Sequence, residues 1–60
     1  MVISDYYRNL TDEDKSKLRT MVISEIGFSL PTFYYKIRNE SFKPLERRAI
    51  ESIINRFKDA

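Results

Sequence analysis

Glu25-Ile26-Gly27-Phe28-Ser29-Leu30-Pro31-Thr32-Phe33-Tyr34-Tyr35-Lys36-Ile37 is the stretch on which the architecture turns. Gly27, the only glycine of the chain, suits the left-handed conformation that closes many helices. Phe28 directly after it is placed to fold back over the last helical turn in the manner of a Schellman closure. Ser29 then offers a hydroxyl to cap a new helix, and Pro31 is harmless in its first turn because the missing N–H has no intrahelical partner there. A helix that stops sharply, a hydrophobe that plugs the corner and a capped second helix with a free outer face make a helix-turn-helix unit.

Upstream, Thr11 precedes Asp12, Glu13 and Asp14, an N-cap followed by carboxylates in the turn where the helix dipole favours negative charge. The apolar stripe Leu18, Met21, Val22 and Ile26, with Glu25 on the same face, carries that helix to Gly27. In the second helix Leu30, Phe33 and Ile37 are expected in the core with Tyr34 at its margin. Thr32, Tyr35, Lys36 and Asn39 are expected on the opposite side. Asn39-Glu40-Ser41-Phe42-Lys43 reads as a polar loop pinned by one aromatic. Pro44 opens a further helix to about Phe57, with Leu45, Ala49, Ile50, Ile53, Ile54 and Phe57 as its stripe. Residues 1–10 fit either an extended arm or a short helix capped by Ser4 and holding Tyr6, Tyr7 and Leu10. The expected fold is therefore all-α, a three- to four-helix bundle in which residues 1–60 form one domain containing the helix-turn-helix.

Composition narrows the function. The 60 residues include no Cys and no His, which removes disulfides, the usual zinc ligands and the side chains most used for acid-base and nucleophilic work. No spacing aligns a nucleophile with a base, so the chain is not expected to be an enzyme or to bind a cofactor or metal. The acidic run at Asp12–Asp14 reads as a dipole device, since consecutive helical carboxylates diverge around the axis. No apolar run reaches the roughly 18 residues of a membrane span and no secretory signal is visible, so a soluble, cytoplasmic protein is expected.

Charge is uneven. Residues 35–48 carry Lys36, Arg38, Lys43, Arg47 and Arg48 against Glu40 and Glu46, while the whole chain is only +2. Such a cluster beside an exposed helix would neutralise about 3 to 5 phosphates. The second helix would fit a DNA major groove, with base edges read from its outer face and phosphates held by nearby cations and N-terminal amides.

Gly27-Phe28-Ser29 followed by Thr32-Phe33-Tyr34-Tyr35-Lys36-Ile37 resembles the turn and recognition helix of small bacterial and phage helix-turn-helix regulators, in particular the tetracycline-repressor-like pattern. The likeness spans roughly residues 18–40, with Ile23 where such units usually carry a small residue. It implies a stand-alone DNA-binding module without a ligand domain, in transcriptional or mobile-element regulation. By position it implicates Thr32 together with Tyr35 or Tyr34. With their neighbours, the candidate DNA-binding residues are Ser29, Thr32, Tyr34, Tyr35, Lys36, Arg38, Asn39, Lys43 and Arg47. A homodimer through residues 44–58 is expected, on the grounds of a small core and apolar surface at Ile53, Ile54 and Phe57. The alternative is a protein-interaction domain on the same scaffold, using Tyr6, Tyr7, Tyr34, Tyr35 and the basic patch. A small accessory domain with no ligand of its own is the third reading.

Overall fold

Thr11 and Ser29 both act as caps. The Thr11 hydroxyl accepts the Asp14 amide at 3.2 Å, and the Ser29 hydroxyl accepts the Thr32 amide at 3.4 Å while donating to the Thr32 hydroxyl at 2.8 Å. A computed structural model describes residues 2–59, and all regular structure among them is helical. The elements are α1 (Ile3–Arg8), α2 (Asp12–Ile26), α3 (Leu30–Asn39) and α4 (Pro44–Asp59).

Gly27 closes α2 at φ 90°, ψ 21°, its amide donating to the Ile23 carbonyl at 3.0 Å. This is the one-bond left-handed closure rather than the two-bond Schellman form. α3 ends at Glu40, which adopts φ 49° without being glycine. At the start of α4, Glu46 reaches back to accept the Lys43 amide at 2.9 Å, the reciprocal half of a capping box.

The core draws on every helix: Ile3 and Tyr7 of α1, Leu18 and Val22 of α2, Phe33 and Ile37 of α3, and Ile50, Ile53 and Ile54 of α4. Phe42 of the connecting loop joins them. Each such side chain removed from water contributes about 1.5–3 kcal/mol before the entropy of ordering is subtracted. Tyr7 and Phe33 meet edge to face with ring centroids 5.4 Å apart, a preferred arrangement of two quadrupoles. Ile23 is half-buried against this core, so a large side chain is accommodated four residues before the glycine.

Residues 3–8 form the short helix, but Ser4 does not cap it. The residue before the helix is Val2, and Ser4 lies inside the first turn, 2% exposed. Its amide donates to Glu40 Oε1 at 2.9 Å, and its hydroxyl lies 2.5 Å from both that oxygen and the Ile37 carbonyl. The hydroxyl has one proton, shared between the two acceptors. The Glu40 carboxylate also binds Arg47, so one side chain ties α1, the end of α3 and α4 together.

Three apolar expectations are corrected. Leu30 is 46% exposed. α1 runs antiparallel to α3, with Ser4 at Ile37 and Tyr7 at Phe33, and ends at Arg8 before it can cover the first turn of α3. Leu45 is 78% exposed. At about 100° per residue it sits about 130° from the centre of the stripe made by Ile50, Ile53, Ile54 and Phe57, whereas Glu46 falls on the inner side. Ile53 and Ile54 are 2% and 0% exposed. They are consumed by the core of one chain, which leaves only the half-buried Phe57 of the three side chains on which pairing through residues 44–58 was expected.

Candidate nucleic-acid interface

Only Phe33 and Ile37 of α3 are buried. Pro31, Tyr34, Tyr35 and Arg38 are exposed, together with Leu30 and Asn39 at the margins. At about 100° per residue these positions make one continuous outward face, centred near Pro31 and Arg38. Of its large apolar and aromatic side chains Tyr35 stands out furthest, at 60% exposure. This face is turned from the expected one, which had Lys36 and Thr32 pointing outward.

Lys36 and Thr32 are both drawn inward. The Lys36 ammonium pairs with Glu46 at 3.1 Å, approaches the Ser41 carbonyl at 3.4 Å and lies over the Phe28 ring at 5.4 Å from its centroid. Its side chain is only 15% exposed. The Lys43 amide holds the Glu46 carboxyl below the usual carboxylate range, with burial opposing and Lys36 adding to the effect. Thr32 is half-buried, and its hydroxyl accepts the proton of Ser29.

Arg47 is likewise occupied. It pairs with Glu40, and both side chains are about one-third exposed. Burial alone would push the Glu40 carboxyl up, but the hydroxyl and amide of Ser4 and the Arg47 guanidinium hold it below its ordinary value. The Asn39 side-chain amide donates to the Tyr35 carbonyl at 2.9 Å while the residue stays exposed. Arg38 and Arg48 are exposed and form no hydrogen bond or ion pair with the described residues, and Lys43 is exposed beside Glu46. The basic cluster of the sequence thus divides into Lys36 and Arg47, which brace the fold, and Arg38, Lys43 and Arg48, whose charge faces water.

α2 contributes what the sequence reading did not single out. Arg19 donates to the Tyr34 hydroxyl at 3.1 Å and to the Tyr7 hydroxyl at 3.4 Å, bringing a third segment to the edge of the α3 face. The Tyr7 hydrogen bond raises the Arg19 pKa, burial opposes it and Tyr34 adds to the rise, so the side chain stays cationic. One signal was available in the chain: no carboxylate stands three or four residues from Arg19 on its helix. The two tyrosines that receive it come from distant segments and carry no such mark.

An open groove lies away from this face, where Tyr6, Leu10, Met21 and Phe57 meet between α1, α2 and α4. Its rim mixes Asp14 with Lys17 and Lys58. Lys58 lies over the Tyr6 ring at 5.3 Å from the centroid, and Lys17 pairs with Glu13 at 3.3 Å. Among the described residues no helix is long and apolar enough to cross a membrane, and no group of three acidic side chains gathers as a metal site. No protein-family model, curated protein or solved structure matches the chain.

Proposed function

We propose that α2, the Gly27–Ser29 corner and α3 act as a helix-turn-helix and that the chain is a DNA-binding module whose α3 enters the major groove. The observation that carries this reading is the outward face of α3: Tyr34, Tyr35, Arg38 and Asn39 stand exposed on a helix held from behind by Phe33 and Ile37. A helix fixed at both ends by caps and buried on one side presents its face on a backbone that does not have to reorganise, which lowers the entropic cost of docking. Arg38 supplies a fork of donors suited to guanine, and Asn39 an amide suited to adenine once it leaves the Tyr35 carbonyl. Lys43 and Arg48 would lie along the phosphates. Regulation of transcription, in a bacterial or phage setting, is the role such a module would serve.

A fluorescence titration against random duplex and against a selected duplex, each at two salt concentrations, tests the reading. Binding should weaken steeply with salt through counterion release. Tyr35→Ala and Arg38→Ala should each cost about 1–3 kcal/mol on the selected site and less on random duplex. Absence of binding to either DNA at low salt would refute the proposal and favour an aromatic-anchored protein contact, whose salt dependence is weaker.

A further inference from the structure

Lys15 and Arg19 stand one turn apart on α2, and neither forms an ion pair with any described residue. Both are half-buried rather than free in solvent. The Lys15 ammonium lies 5.9 Å from the centroid of the Tyr7 ring, and the Arg19 guanidinium lies 5.9 Å from that of Tyr34. Arg19 also reaches the Ser16 hydroxyl at 3.4 Å. Because Arg19 donates to the oxygens of Tyr7 and Tyr34, the proton of each phenol points elsewhere, and neither donates to another described residue.

Two cations and two phenolic donors therefore converge with no carboxylate among them. Like charges gathered at i and i+4 repel one another, and here the tyrosine rings offset them only in part, with no ion pair to a described residue. An acceptor-rich anion would do so, taking one hydrogen bond from each phenol and charge-assisted contacts from the guanidinium and ammonium. Tyr34 also belongs to the exposed face of α3, so an anion held here would flank whatever that face touches. When a helix-turn-helix docks, its first helix crosses the DNA backbone beside the groove that the second enters.

We infer that Lys15, Arg19 and the hydroxyls of Tyr7 and Tyr34 form a site for one phosphodiester of the DNA backbone, at the edge of the groove occupied by α3. This rests on the DNA-binding reading and adds a contact from α2 that the cations of residues 35–48 do not supply.

Salt titrations of the wild type and of Arg19→Gln, Lys15→Gln and Tyr34→Phe against one duplex test it. Arg19→Gln should bind about tenfold more weakly, and the magnitude of its salt slope should fall by about 1. Tyr34→Phe removes one donor and no charge, so affinity should drop a few-fold with the slope unchanged. Replacing single backbone phosphates by neutral methylphosphonates should identify one linkage whose loss weakens the wild type but weakens Arg19→Gln no further. Circular dichroism checks folding; should Arg19→Gln unfold, Lys15→Gln and Tyr34→Phe carry the test with the same methylphosphonate scan. Wild-type binding that these variants match in affinity and slope overturns the phosphate site and leaves the α3 reading intact. A wild type that binds no duplex overturns both.

Discussion

Gly27→Val isolates the energetic role of the corner between α2 and α3. Gly27 has φ 90°, and a Cβ built there meets no atom within 4 Å. A Cβ therefore meets no overlap with the rest of the fold, and its cost lies in the backbone conformation. For an L-residue in the left-handed region that cost is about 1–2 kcal/mol, and it is higher for a β-branched side chain. A domain of this length has a total stability of about 3–9 kcal/mol, so the loss is a large share of it. At about 4–8 °C per kcal/mol, Gly27→Ala should lower Tm by about 4–16 °C and Gly27→Val by more. Gly27→Asn should fall between wild type and Ala, since asparagine visits this region more readily. Thermal unfolding followed by circular dichroism gives the order directly. A Val variant that melts with the wild type, or Asn and Val variants that melt together, would refute a corner held by positive φ.

Further outcomes follow from the same packing. Ile54→Ala should cost about 2–5 kcal/mol by opening a cavity in the core, whereas Leu45→Lys, at a site 78% exposed, should change stability by less than about 0.5 kcal/mol; denaturant midpoints compare them. The Glu40 carboxyl is held below its ordinary value of 4.5, so its contribution is complete above that value and is lost as pH falls through the lower folded value. Glu40→Gln should thus be less stable than wild type at pH 7, with the difference narrowing only as pH falls below 4.5 and through the lower folded value; equal stabilities at pH 7 would contradict the Ser4–Glu40–Arg47 linkage. With Ile53 and Ile54 inside the core, the free protein should sediment as a monomer, and a concentration-dependent dimer would show that α4 pairs through some other surface. If Leu30 and Pro31 meet thymine methyl groups in the groove, uracil in place of thymine in a selected site should weaken binding by about 1 kcal/mol, and equal affinity would exclude those contacts.

The limits of α2 and α3 and the start of α4 were legible in the chain because they depend on local chemistry, whereas residues 1–10 left an arm and a short helix open and Ser4 was not the cap. Thr11, Gly27, Ser29 and Pro44 each act within one turn of their own position, through a cap, a positive φ or a missing N–H. The inner stripe of α4 beyond Leu45 and the burial of Phe33 and Ile37 were equally plain from helical period. Which polar side chains remain available could not be read in that way. Lys36 looks outward by its position on α3, yet Glu46, ten residues away in another helix, draws it in. Arg47 seemed one cation of a patch until Glu40 claimed it, and Glu40 is set in place by Ser4, 36 residues upstream.

The sequence by itself determined where α2 and α3 begin and end and where α4 begins, because capping and periodicity are settled between neighbours along the chain. The tertiary structure alone decided how α3 is turned, which cations are neutralised, and that Arg19 stands between Tyr7 and Tyr34. Those outcomes depend on distances between residues remote in sequence, fixed only when α1 lies across α3 and the bundle closes.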